Sequence, residues 1–166
     1  MSTSPAGPET HYHHPDMGRE PGVRAIATNR KAFFSYQVID RVEAGICLLG
    51  TEVKSIRDGG LAFRDAYVEY REGELFLVGA HIAPYRHGNL LNHADDRPRK
   101  LLLHGSELAK LRRGTAEKGM TIVPLRLYFK GSRVKVEIAL ARGKKLHDKR
   151  HDLKARDARR EMERRE

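Results

Sequence analysis

Residues 121–140 read T-I-V-P-L-R-L-Y-F-K-G-S-R-V-K-V-E-I-A-L. This stretch decides the fold. Thr121–Tyr128 and Arg133–Leu140 are two strands about the turn Lys130-Gly131-Ser132. The second alternates cleanly, with Val134, Val136 and Ile138 inward and Lys135 and Glu137 outward.

Working back from this hairpin, Gly105–Lys118 is a helix with Leu108, Leu111 and Ala116 inward and Gly119 as its stop. Lys100-Leu101-Leu102-Leu103 enters the core, and Pro84–Arg99 is a long exposed loop. Asp65–Tyr70 and Glu74–Val78 form a hairpin about Glu72-Gly73. Thr51 caps a short helix carrying Val53 and Ile56, which Asp58-Gly59-Gly60 ends. Ile46–Leu49 is a short, wholly apolar strand. Glu43-Ala44-Gly45 is a tight turn, and Phe33–Val42 is a strand with Phe34, Tyr36 and Val38 in alternation. Six or so short strands, one long helix placed late and no βαβ alternation specify a mainly β fold with helices. The expected architecture is a small closed or partly closed OB-like barrel with helices at its ends.

The core must come from Asn29–Leu140, which is long enough to fold alone. Met1–Thr28 is rich in Pro, Gly, Ser, Thr and His without apolar period and is expected to be a disordered N-terminal extension. Ala141–Glu166 is a basic hinge and tail. Its 11 basic and 6 acidic residues leave +5, half of the formal net charge of +10. A polyphosphate is the natural partner for such a chain, because each Lys or Arg placed on a phosphate releases condensed counterions. An anionic membrane surface is the competing partner, but the tail lacks the Leu, Phe or Trp face that interfacial binding needs.

The single cysteine, Cys47, lies in an apolar run and reads as a buried thiol in a reducing compartment. No apolar run approaches the ~20 residues of a membrane span, and the N-terminus lacks the apolar region of a secretory signal. The chain is expected to be cytoplasmic and monomeric, with no membrane partner.

Catalytic signatures are lacking. No P-loop, G-x-S-x-G, H-E-x-x-H or dinucleotide fingerprint occurs. Asp40 followed by Glu52-Val53-Lys54 has the spacing of a metal-dependent nuclease. That chemistry needs Glu52 and Lys54 on one face, and residues two apart on a helix point away from each other. His11, His13 and His14 lie in a segment too flexible to impose a ligand geometry. No metal, no cofactor and no enzymatic activity are expected.

The hinge Gly143–Arg150 reads G-K-K-L-H-D-K-R, and the tail beyond it is almost wholly charged. Leu153, Ala158 and Met162 make a helical stripe too thin to bury. The tail is therefore expected to be disordered alone and to become helical when phosphates neutralise it.

Several stretches in this order resemble the SsrA-binding protein family, also called small protein B. They are Asn29-Arg30-Lys31-Ala32, Glu43-Ala44-Gly45, G-T-E-V-K-S-I-R at Gly50–Arg57, R-K-L-L-L at Arg99–Leu103 and G-K-K-L-H-D-K-R. The resemblance runs from about Asn29 to Arg165. It implies an OB-like barrel that binds the tRNA-like domain of tmRNA. It also implies a tail that enters the decoding region and empty mRNA channel of a stalled ribosome. By position it assigns Glu43, Leu102, His104 and Lys135 to the tmRNA surface. To the ribosome it assigns Gly143, Lys144, Lys145, His147, Asp148, Lys149 and Arg150. His104 stands where the family usually has Asn, and Leu146 where a polar or aromatic residue is common.

Each assignment has a chemical reading. Glu43 can accept from a base amino or imino group or a ribose hydroxyl, or can orient a neighbouring Lys or Arg. Leu102 can pack on an unstacked base, or be core. Lys135 can meet phosphate. In the hinge His147 can stack on a base and the Lys and Arg residues can engage phosphates, with Asp148 orienting them. Two functions follow: a non-enzymatic adaptor for tmRNA, or a generic OB-type single-strand or ribosomal RNA binder with a basic tail.

Overall fold

The hairpin over 121–140 is the spine of the molecule. In the computed structural model, which describes residues 22–87 and 92–165, it consists of β8 (Met120–Lys130) and β9 (Arg133–Gly143). Gly131 turns the chain at φ +62° between Lys130 and Arg133, which pair across the strands. On β9, Val134, Val136 and Ile138 are buried, while Lys135 and Glu137 stand on the other face. β8 is buried almost throughout, because both its faces are covered.

Ahead of this hairpin come β1 (Val23–Thr28), α1 (Arg30–Ser35), β2 (Tyr36–Ile46), α2 (Gly50–Arg57) and β3 (Leu61–Ala62). There follow β4 (Tyr67–Arg71), β5 (Glu74–Val78), β6 (His81–Ile82), β7 (Arg99–Leu102) and α3 (Gly105–Thr115); α4 (Leu146–Arg165) closes the chain. The main sheet runs β1-β8-β9-β2-β7-β5-β4, every neighbouring pair antiparallel, and β3 pairs with β6 beside it. The sheet curls so that β4 lies against β8. The main core, with Leu77, Ile82, Leu111, Leu127 and Ile138, fills the inside. A second, smaller core lies between α1 and the sheet, where Ala32 and Phe33 meet Val38, Val123 and Leu125.

The expected mainly β fold with helices is what forms. Closure of the barrel is not: β1 and β4 are edges, and no ladder among the described residues joins them. β4 is five residues long and gives its hydrogen bonds to β5, so it meets β8 through packing alone.

The motif residues explain the local architecture. Asn29 caps α1, its Oδ1 accepting from the Ala32 N–H at 3.2 Å. Its Nδ2 also donates to the Pro124 carbonyl at 2.9 Å, beside the register shift between Pro124 and Arg126. Proline is tolerated inside a strand at such a bulge. Glu52 on α2 is fully buried, and its carboxylate accepts from the Leu49 N–H at 2.9 Å and from Arg97 and Arg99. Thr51 does not cap the helix as expected. Its hydroxyl bonds His93 Nδ1 at 2.9 Å, and His93 Nε2 donates to the Ile82 carbonyl at 2.9 Å.

Other expectations are corrected. Val23–Thr28, expected to be disordered, forms β1, because β8 offers it a full-length partner and Arg24 lies over the Phe129 ring at 4.8 Å. His11, His13 and His14 lie outside the described residues, as do the side chains of Leu146, His147 and Asp148. Glu43-Ala44-Gly45 is no turn but lies inside β2, paired with β9. Cys47 follows the end of β2 and is exposed. His93 and Arg99, read as exposed loop, are buried, because each satisfies its polar atoms inside the fold. The tail, expected to be disordered alone, forms α4. It is almost wholly exposed, and its contacts with α1 run through charged side chains: Lys144, bonded to the Phe33 carbonyl of α1, pairs with Asp152, and Arg156 lies over the Phe34 ring at 5.8 Å.

Candidate nucleic-acid interface

Ala44 points into the core and is fully buried, so its neighbours Glu43 and Gly45 face outward from β2. Gly45 pairs with Leu102 of β7 on one side and with Lys135 of β9 on the other. Across β9, Tyr128 of β8 stands opposite Lys135. A Cβ on Gly45 would lie 3.2 Å from the Leu102 Cβ, so the leucine rests on bare backbone. Leu102 is consequently half exposed, at 50%, which settles its reading: it is not core. His104 follows at the start of α3, exposed and making no side-chain cap.

Glu43, Leu102, His104 and Lys135 thus line one open groove of about 940 Å³. Arg41, Lys110 and Arg133 add three cations to its wall, and Glu107 one acid. The four residues come from three strands and a helix start, and the register of the sheet brings them together.

Glu43 is held in place. The Tyr128 hydroxyl donates to its Oε2, and Lys130 Nζ lies 3.3 Å from its Oε1. Burial pushes the Glu43 carboxyl up. The hydrogen bonds from Tyr128 and Lys130, with the nearby charges of Lys130 and Lys135, more than offset that and hold it below the usual carboxylate range. Glu137 stands directly opposite Glu43. Like charges so placed repel, and each takes its own donors: Glu137 has Arg41 at 3.1 Å and Arg126 at 3.6 Å. Phe33 stacks on both of these guanidinium groups, at 5.8 and 5.3 Å.

The hinge residues stand elsewhere. Gly143 ends β9 opposite Tyr36. Lys144 bonds the Ser35 carbonyl through its N–H at 2.9 Å and the Phe33 carbonyl through Nζ at 3.2 Å. Lys145 and Arg150 are exposed, and Lys149 is half-buried beside a smaller groove that also takes in Lys31 and Arg64. None of the described hinge residues lines the groove of Glu43.

The nuclease spacing assembles nothing. Glu52 is buried with its oxygens bound, and Asp40 pairs with Lys110 at 2.6 Å. Among the described residues no group of three His, Cys, Asp or Glu side chains is gathered to hold a metal ion. No helix among them is long and apolar enough to cross a membrane.

Sequence reasoning missed Arg41 on the groove wall and Tyr128 and Lys130 on the Glu43 carboxylate. A signal was present for Tyr128. With the turn centred on Gly131-Ser132, counting back along the hairpin sets Tyr128 opposite Lys135.

Comparison with known proteins bears on all of this. The model of the family described as SmpB protein matches residues 26–166. An SsrA-binding protein of Solidesulfovibrio magneticus is 50% identical over 139 residues, covering 84% of this chain and 90% of its own. That of Nitratidesulfovibrio vulgaris strain DP4 is 53% identical over 146 residues, covering 88% and 95%. A solved chain from work described as "tmRNA-SmpB: a journey to the center of the bacterial ribosome" matches with a TM-score of 0.61 and 44% identity, covering 74% of this chain and 86% of that one. With a family match spanning most of its length and relatives at half identity over nearly all of theirs, the chain belongs to the SmpB protein family.

Proposed function

We propose that this protein is a non-enzymatic RNA-binding adaptor that binds the tRNA-like domain of tmRNA and delivers it to stalled ribosomes for trans-translation. The observation that carries the reading is the groove. Glu43, Leu102, His104 and Lys135 stand in one cleft with more cations than acids on its wall. Lys135, Arg41 and Arg133 suit phosphates. Leu102 offers an apolar surface to an unstacked base, and Glu43 accepts from base or ribose donors. The relatives' name and the solved tmRNA complex support the same partner.

The hinge and α4 are the ribosome-facing part. Gly143, Lys144, Lys145, His147, Asp148, Lys149 and Arg150 enter the decoding region, and the helix follows into the mRNA channel. Charge favours this assignment: α4 is cationic and exposed, with no apolar face committed to the body. The body is an OB-like curled sheet working as a monomer in the cytoplasm.

Capture of RNA from a bacterial lysate on the full-length protein, followed by sequencing, tests the reading. One dominant tRNA-like RNA is expected. A broad mixture of ribosomal and messenger fragments would make the protein a generic single-strand binder instead.

A further inference from the structure

Two carboxylates, Glu43 and Glu107, line the groove among its cations, and Glu43 is fixed from behind. Tyr128 is 5% exposed, on a strand buried on both faces, so the sheet sets the position of its hydroxyl. Lys130 stands two residues further along the same face, at the end of β8, next to the turn. Oε2 of Glu43 takes the tyrosine hydroxyl, with Lys130 at 3.5 Å, whereas Oε1 has only the long contact from Lys130 at 3.3 Å. A carboxylate oxygen accepts about two hydrogen bonds. Oε1 therefore keeps accepting capacity, on a side chain that lines the groove.

We infer that Tyr128 and Lys130 are positioning residues for RNA recognition, holding Glu43 in one orientation so that its Oε1 accepts from a base N–H or a ribose hydroxyl in the groove. The inference rests on the RNA-binding reading above. A glutamate left to itself must lose rotamer freedom when it binds, and a glutamate clamped beforehand has already lost it. The clamp also keeps the group an acceptor. A protonated carboxyl would present a donor to a donor. The two clamping groups differ in kind: the phenol supplies direction from a rigid strand, and the ammonium supplies charge.

The test uses full-length protein and a tmRNA transcript. Tyr128→Phe keeps the ring and removes one hydroxyl. It should weaken binding about tenfold, the scale of a hydrogen bond to a charged group. The slope of log K against log salt should not change, because no phosphate contact is lost. As the pH falls, binding by this variant should fail earlier than in the parent, because Glu43 without its phenol protonates more readily. In a Glu43→Ala background, Tyr128→Phe should have no further effect. An equal loss in both backgrounds, or parental binding by Tyr128→Phe, overturns the inference. Lys130→Met, at an exposed strand end where folding is not at stake, should act like Tyr128→Phe, and Lys130→Arg should restore binding. A salt slope shallower by about one unit in Lys130→Met would make the lysine a direct phosphate contact and overturn its positioning role. If Glu43→Ala alone binds like the parent, the RNA surface itself is misplaced, which is a separate failure.

Discussion

Glu43 and Glu52 are both carboxylates pressed against cations, one on the outer face of the sheet and one inside the fold. Glu52 is fully buried and its oxygens take the Leu49 N–H, Arg97 and the Arg99 Nε at 2.6 Å. Arg99, also fully buried, turns its remaining donors to the carbonyls of Ala80 at 2.8 Å and Asp95 at 3.1 Å. That network closes on itself and ties α2 to the loop before β7. Glu43 has a side chain 36% exposed and one oxygen with capacity to spare. Both carboxyls lie below the usual carboxylate range. In both, burial pushes upward and hydrogen-bond donors offset it. Ionisation is therefore not what separates a structural glutamate from a recognising one. Access is: Glu52 is sealed inside the fold with its bonds turned to Leu49, Arg97 and Arg99, whereas the open oxygen of Glu43 belongs to a side chain on the groove wall, where a ligand can reach it.

The hardest way to break this comparison is to open the inner network. Arg99→Met leaves Glu52 buried without its fully buried guanidinium partner, a change that typically costs about 3–5 kcal/mol. Urea unfolding should show that loss, while Lys130→Met beside Glu43 should shift stability by less than about 1 kcal/mol. Equal losses would mean that the outer carboxylate is structural too. Acid sharpens the same point. Glu52 has a folded-state pKa below its unfolded value, so its contribution is present above the ordinary carboxylate range and is lost as the pH falls through the lowered value. Glu52→Gln should flatten that part of the stability profile.

Binding offers the next contrast, smaller in energy. Lys135→Ala should weaken tmRNA binding and make the log K against log salt slope shallower by about one unit, while Glu43→Ala should weaken binding with the slope unchanged. Identical salt slopes in the two variants would place both residues in the same kind of contact. The smallest change in stability is expected from the tail. Ending the chain at Lys145 removes the ion pair of Lys144 with Asp152 and the arginine stacked on Phe34. The melt should shift by less than about 1 kcal/mol, and transfer of a stalled peptide to tmRNA should be abolished. Transfer persisting in the truncated chain would end the ribosome-facing assignment of α4.

What could be read from residues alone follows contact distance. The β8–β9 hairpin and the β4–β5 hairpin were legible because alternation and turn chemistry are local. α3 was legible for the same reason. β1 was not, because V-R-A-I-A-T becomes a strand only when β8 is there to pair with it. Glu43-Ala44-Gly45 misled because a glycine that turns the chain and a glycine that clears room for Leu102 look alike in sequence. The groove was legible as a set of residues through the family resemblance, but the part played by Tyr128 required strand register. Glu52 with Arg99 carried no local signal at all.

The strand order has a consequence for how the molecule comes into being. β2 lies in the middle of the sheet, yet its longest partner is β9, and β1 waits for β8. Both partners belong to the last hairpin of the chain. During synthesis β1 and most of β2 therefore emerge before their partners, and the β1-β8-β9-β2 part of the sheet is gated by the arrival of Gly143, while β4, β5 and β7 can pair sooner. Pairing so remote in sequence is intrinsically slow, since loop closure must precede any reward from contacts. A chain cut short before Met120 would expose β1 and one flank of β2 as bare edges prone to self-association. The β1-β8-β9-β2 part of the sheet is thus completed only when the last strand of the chain has been made.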